Sequence, residues 1–161
     1  MKKVSNFILV SSLVLGFFVT PELFNITQAH AQESVKPYYS YSGYTANQSN
    51  FILDKNFKTS QKADNFKINN YKITKNALAK NNKDLHDPTY YGVSNHKANG
   101  VFFLLDGKSV SKKELLNHYG KPKYTSSSEW VKEYMYKIGN KEVRFYVNQK
   151  DYVIKGQIIS E

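Results

Sequence analysis

Eight lysines (Lys55, Lys58, Lys62, Lys67, Lys72, Lys75, Lys80 and Lys83) stand in a stretch of 29 residues that holds one acid, Asp64, a local charge of +7. An ammonium group neutralises a phosphate and releases its counterions, so such a run gives affinity for a polyanion with little sequence information. At its centre, Phe66-Lys67-Ile68 and Tyr71-Lys72-Ile73 alternate apolar and basic residues on either side of Asn69-Asn70. Asparagine tolerates the positive φ of a two-residue hairpin turn. The pattern predicts a hairpin with Ile68 opposite Tyr71, Lys67 opposite Lys72 and Phe66 opposite Ile73. Like charges facing each other across a strand pair are destabilising, and a bound anion would relieve that. The expected nucleic-acid-binding track is therefore Lys55, Lys58, Lys62, Lys67, Lys72 and Lys75. The competing reading is a solvated lysine face that only confers solubility.

Other chemistries find less support. Beyond residue 31 the histidines are His86, His96 and His118, and none lies in a nucleophile motif. His118 falls in the last turn of an expected helix, where the dipole favours a cation. Asp54, Asp64, Asp84, Asp87 and Asp106 are scattered, whereas a metal-dependent nuclease clusters its carboxylates. No zinc or calcium motif is present. No catalytic residue, metal or cofactor is expected. Arg144 is the sole arginine. Arginine makes the commonest bidentate contact to a base, so a lysine-dominated chain points to backbone binding rather than base reading.

The elements that position these residues are unevenly legible. Tyr39 and Tyr41 alternate with serine, which suggests a strand with one tyrosine face. Phe51 to Phe57 fits no single period and reads as a strand passing into a turn or short helix near Asp54. Residues 75–89 read as a long polar loop, with a short helix around 76–80. Val101 to Leu105 is an apolar run between glycines, a buried strand. Ser111-Lys112-Lys113-Glu114 is a capping box, Val110 and Leu115 fit a hydrophobic staple, and Gly120 with Pro122 ends the helix. After a serine-rich loop at 125–128, strands are expected over Trp130 to Ile138, Val143 to Val147 and Tyr152 to Ile159. The expected fold class is α+β: one capped helix packed on an antiparallel meander, with an N-terminal strand region and the basic hairpin.

Residues 1–31 have the form of a secretory signal peptide: Lys2 and Lys3, an apolar stretch from Phe7 to Val19, then Ala29-His30-Ala31 as the cleavage pattern. Cleavage there would leave a single secreted domain, residues 32–161. Without Lys2, Lys3 and Glu22, its 21 basic and 12 acidic residues give a net charge of +9. An exported chain with that balance suits polyanions. The sequence has no cysteine, so its core must hold it together without disulfides.

Pro37-Tyr38-Tyr39-Ser40-Tyr41-Ser42-Gly43-Tyr44-Thr45-Ala46-Asn47, running into Asn50-Phe51-Ile52-Leu53-Asp54-Lys55-Asn56-Phe57, resembles the mature N-terminus of the immunodominant staphylococcal antigen B family. The later helix and Tyr119-Gly120-Lys121 are similar in position and kind. The resemblance is close over about residues 37–60 and looser afterwards. It implies secretion, partial retention at the cell surface, and binding of extracellular DNA or RNA without sequence preference. The charge extends the expected partners to cell-wall polymers and heparin-like glycans. An alternative reading is a surface adhesin or inhibitor-like module that binds a protein or anionic glycan through a tyrosine-rich sheet.

Overall fold

The computed structural model describes residues 36–75 and 80–161. The signal peptide expected over residues 1–31, its boundary with the secreted domain, and most of the short helix expected around 76–80 lie outside the described residues.

The chain opens with β1 (Tyr39–Tyr41), whose Tyr41 is buried and whose Ser40 is exposed, as the alternation predicts. Two 3-10 turns follow, Thr45–Asn47 and Ser49–Leu53. Asp87 anchors the first by accepting from Thr45 N, Thr45 Oγ1 and Ala46 N, each at 2.8 Å. Next comes α1 (Lys55–Lys62), capped by Asp54, which accepts from Asn56 N at 2.6 Å. The basic hairpin is β2 (Phe66–Ile68) and β3 (Tyr71–Ile73). Then come β4 (Asn81–Asp84), β5 (Thr89–Ser94) and β6 (Lys97–Leu104). The second half holds α2 (Lys112–Tyr119), β7 (Tyr124–Ser127), β8 (Val131–Ile138), β9 (Lys141–Asn148) and β10 (Val153–Ser160).

The expected fold class needs correction. The ten strands form one mixed sheet in the order β1-β2-β3-β6-β10-β9-β8-β7, with β5 and β4 branching from β6. β1–β2 and β3–β6 are parallel, and the other pairs are antiparallel. Among the described residues the protein is thus a large sheet with two short helices, richer in β structure than one helix on a meander. The meander β8-β9-β10 is there, but it is only the middle of the sheet. Three unforeseen strands account for the difference. β4 is wholly exposed Asn-Asn-Lys-Asp, and β7 is Tyr-Thr-Ser-Ser at an edge. Neither buries a face, so neither carries the apolar alternation that marks a strand. β5 breaks its own alternation at Gly92.

α2 follows its sequence signature closely. Glu114 N donates to Ser111 Oγ at 3.2 Å, and Ser111 N donates back to Glu114 Oε2 at 2.9 Å. Leu115 and Tyr119 face the core, and Gly120 leaves the helix at φ 80°. Tyr119 Oη donates to Ile52 O at 2.6 Å, tying α2 to the second 3-10 turn.

The core lies between these helices and one sheet face. Phe57 on α1 meets Phe51 and Phe66 edge-on at 5.1 and 5.8 Å, and Phe51 reaches Phe103 on β6 at 5.6 Å. Across the meander Tyr134, Phe145, Gly156 and Phe103 lie abreast. Gly156 is required there, because a Cβ would stand 2.3 Å from the Phe103 ring.

Candidate nucleic-acid interface

The hairpin forms in the expected register, with Lys67 opposite Lys72 and Ile68 opposite Tyr71. Asn69 and Asn70 adopt φ 48° and 67°, the left-handed pair that the turn needs. Its tip does not project. Asn69 is buried, its Oδ1 accepts from Gly43 N at 2.6 Å, and Asn69 N donates to Tyr41 O at 2.8 Å. The hairpin is therefore held on one side by β1 and on the other by β6.

Lys67 and Lys72 occupy the face opposite the buried Phe66, Ile68, Tyr71 and Ile73. Lys97 of β6 pairs in register with Lys72, so three lysines stand abreast. The anion that offsets this repulsion comes from the chain itself. Asp64 lies 3.9 Å from Lys72 Nζ, accepts from Thr74 Oγ1 at 2.9 Å and bonds the buried Lys141 ammonium. Burial alone would push the Asp64 carboxyl up, but the hydrogen bonds from Lys141 and Thr74, with the charges of Lys141 and Lys72, hold it below its ordinary value. Asp64 thus offsets part of the repulsion at the cross-strand lysine pair.

Lys55, Lys58 and Lys62 belong to α1, which packs Phe57 against Phe66. Lys67 and Lys72 point to the face of the hairpin opposite Phe66, and Asp64, two residues after Lys62, stands 3.9 Å from Lys72 Nζ. Lys75 is exposed just beyond β3.

The α1 surface is the more developed. Lys58 Nζ donates to His118 O at 2.7 Å and stands 5.3 Å from the Tyr119 ring centroid. It supplies the cation that the C-terminal end of α2 favours. His118 does not, in contrast to the sequence expectation: burial first, then the Lys58 charge, pulls the imidazole pKa below its usual value.

Beside Lys58 opens a groove of about 360 Å³ whose charged lining is Lys58, Lys62, Lys121, Lys123 and Lys137. Among the described residues no carboxylate lines it. Lys137 is paired with Glu161. Among the described residues, Lys62, Lys121 and Lys123 are exposed and have no ion pair. Tyr136 also lines the groove, and its hydroxyl is buried without a hydrogen-bond partner. Leaving such a group unsatisfied costs about 1–3 kcal/mol. Burial, with a smaller contribution from Tyr134, pushes that hydroxyl up to about 12, so it is a proton donor at neutral pH. A second groove, with Lys55, Asn117 and His118, adjoins through Lys58, Lys62 and Ile138.

Lys121, Lys123 and Lys137 are the residues that the sequence reading missed. They flank Pro122 or alternate along β8, and only the packing of β8 beside α1 brings them to Lys58 and Lys62. Gly139 makes that packing possible. At φ 60° it turns β8 into β9, and a Cβ would stand 2.9 Å from Lys62 O. The scattered acids have structural duties: Asp54 caps α1, Asp87 anchors the first 3-10 turn, and Asp106 accepts from Lys108 N and Ser109 N at 3.0 and 2.9 Å.

Fold and groove together define a small, basic, β-rich protein with a lysine-lined cleft. A family model for immunodominant staphylococcal antigen B matches residues 38–158. The chain belongs to the immunodominant staphylococcal antigen B family, as its N-terminal stretch suggested. Relatives of that name from Staphylococcus aureus strains USA300 and NCTC 8325 / PS 47 are each 37% identical over 127 residues, covering 75% of this chain and 71% of the relative. Kinship to staphylococcal antigens fits an extracellular or surface protein. Among the described residues no helix is long and apolar enough to cross a membrane. A solved structure of a DUF4309 family protein (YjgB) from Bacillus subtilis is similar at a TM-score of 0.38 and 11% identity, over 46% of this chain and 56% of that one. A likeness of that size says nothing about function.

Proposed function

We propose that this protein binds extracellular nucleic acid through the phosphate backbone, without sequence preference and without turnover. The observation that carries the reading is the groove between α1, the segment after α2, and β8: five lysines and, among the described residues, no lining carboxylate. Lysines supply point charges to phosphates, and the absence of arginine there argues against bidentate base reading. Lys55 extends this surface, while Lys67, Lys72 and Lys75 add basic charge of lower potential, because Asp64 already stands beside Lys72. Secretion from a cleaved signal peptide, with partial retention on the cell by charge, completes the proposal. A mature N-terminus at Gln32, and release of the protein from cells by salt, are its checks.

The adhesin or inhibitor-like reading would have to use Tyr38, Tyr44 and Tyr124, which are exposed, because Tyr41, Tyr71, Tyr90, Tyr119, Tyr134 and Tyr136 are buried.

Electrophoretic mobility shift at several salt concentrations tests the reading. Replacing Lys121 and Lys123 together by alanine should weaken binding equally for unrelated duplexes. The log–log salt slope should shrink by about 1.8, since each phosphate contact contributes about 0.9. Lys67→Ala with Lys72→Ala should cost less. Lys150→Ala is the control: it lies in the β9–β10 turn, at the other end of β9 from Gly139, about 27 Å away along an eight-residue strand. Equal losses for the groove and control variants would mean binding spread over the whole basic surface. No loss in any would refute nucleic-acid binding through lysines.

A further inference from the structure

Trp130 is the sole tryptophan of the chain and is 67% exposed, more than any other large apolar side chain among the described residues. It is firmly mounted. Ser128 N donates to Val131 O at 2.9 Å and Val131 N donates to Ser128 Oγ at 3.3 Å, closing the β7–β8 turn around Glu129 and Trp130. Gln149 Nε2 donates to Glu129 O at 3.0 Å, which ties that turn to the β9–β10 turn. There Asn148 Oδ1 accepts from Lys150 N and Tyr152 N at 3.0 Å each, and Asp151 Oδ2 accepts from Lys112 Nζ at 2.7 Å, fastening the turn to α2.

Beside the indole opens a cleft of about 70 Å³, at the opposite end of β8 from the lysine groove. Its polar lining is Ser128, Glu129, Lys132, Asn148, Gln149 and Asp151. Two of its three charged side chains are carboxylates, and among the described residues Glu129 has no ion pair. In a chain of net charge +10, this is a place that does not favour phosphate. The apolar neighbours, Val131 and Val147, are half-buried and buried, so one indole face is the whole free apolar surface. That is too little for the core of a protein interface, but it is the size of one pyranose ring. A pyranose with equatorial hydroxyls lays C–H bonds on an aromatic face. Its edge carries hydroxyls that both donate and accept, and amides, carboxylates and a serine hydroxyl answer them. The cleft is far smaller than the roughly 300–1,000 Å³ of a pocket that engulfs its ligand. The ring therefore stays on the indole and one substituent enters the cleft.

We infer that Trp130 and this cleft form a subsite for one sugar ring of an uncharged, β-linked pyranose chain. Two sources share that chemistry: a plain β-glucan and a chain of N-acetylhexosamines. The site is separate from the lysine groove and does not rest on nucleic-acid binding.

The test is titration of the full chain with cellohexaose, N-acetylchitohexaose and maltohexaose, read by the fluorescence of its sole tryptophan. A β-linked chain should shift the emission to the blue and shield it from acrylamide. Maltohexaose, curved by its α-linkages, should do less. The tighter of the two β-linked sugars identifies the source. By calorimetry, Trp130→Ala should weaken that sugar at least about tenfold, as loss of a central aromatic anchor does. Its Tm should not change, since the side chain is exposed. Gln149→Ala, which frees the turn, should weaken binding less, and Lys121→Ala with Lys123→Ala should leave it unchanged. The inference is overturned if neither β-linked sugar moves the emission, or if Trp130→Ala binds as the parent does. It is also overturned if single-stranded oligothymidylate moves the emission more than either sugar, which would make Trp130 a base-stacking surface. The first two failures leave the lysine-groove reading intact, because duplex binding there is measured with Trp130 untouched.

Discussion

A single side chain, Lys58, joins the two helices. Its ammonium closes the carbonyl end of α2 and lies against the Tyr119 ring, so its loss removes a cap and a wall of the groove together. Its neighbour His118 carries a pH signature. The folded imidazole has a lowered pKa, chiefly from burial, so the unfolded chain takes up its proton first as pH falls. Stability is therefore complete above the unfolded value of about 6.5 and declines as pH drops through it toward the lower folded value. Thermal unfolding of His118→Asn should show a flatter pH dependence than the parent as pH falls below about 6.5. An unchanged slope there would mean that another group sets it. Lys141 and Asp64 make a second test. Lys141 is fully buried, and burial lowers its pKa despite the Asp64 hydrogen bond, while the Asp64 side chain keeps 35% of its exposure. Removing the carboxylate strands a buried charge, so Asp64→Ala should cost about 3 kcal/mol or more. Lys141→Met leaves a carboxylate that water can reach, and should cost clearly less. Chemical denaturation of the two variants checks the asymmetry.

Elements differ in how much of themselves they write into the sequence. α2 was legible because its cap, staple and stop are local chemistry between residues a few positions apart. The hairpin was legible because two asparagines and a period of two specify it. α1 was not. Its buried face is Phe57, Ser60 and Gln61, one apolar residue and two polar ones, so no helical stripe stands out among its lysines. The groove was half legible: α1 contributes lysines already suspected as ligands, and β8 and the segment after α2 contribute the rest through long-range packing. The β8–β9 turn holds that meeting in place. Gly139→Ala forces a left-handed backbone onto alanine and drives its Cβ into Lys62 O, at a cost of about 2 kcal/mol. Because the strain falls on the groove wall, polyanion affinity should drop along with Tm, as a melting curve paired with a mobility shift would reveal. A lowered Tm with unchanged affinity would separate the turn from the site.

The whole molecule is organised by its sheet. At the centre, Gly156→Ala would press a methyl group into Phe103, itself fully buried. Overpacking of that kind costs about 1–3 kcal/mol, measurable as a lower denaturation midpoint, and should leave the groove lysines untouched. At the margins the sheet ends in strands of three or four residues: β1, β4 and β7. Unpaired strand edges template association with other chains, and brevity and polarity are among the ways proteins blunt them. β4 exposes Asn-Asn-Lys-Asp and β7 Tyr-Thr-Ser-Ser, so these two borders are both short and hydrophilic, poor templates for a neighbour's backbone. Under the proposed function, copies gathered along one polyanion would be crowded together, and borders of this design would let them line up without seeding fibrils, keeping the coated polymer a soluble array rather than an amyloid deposit.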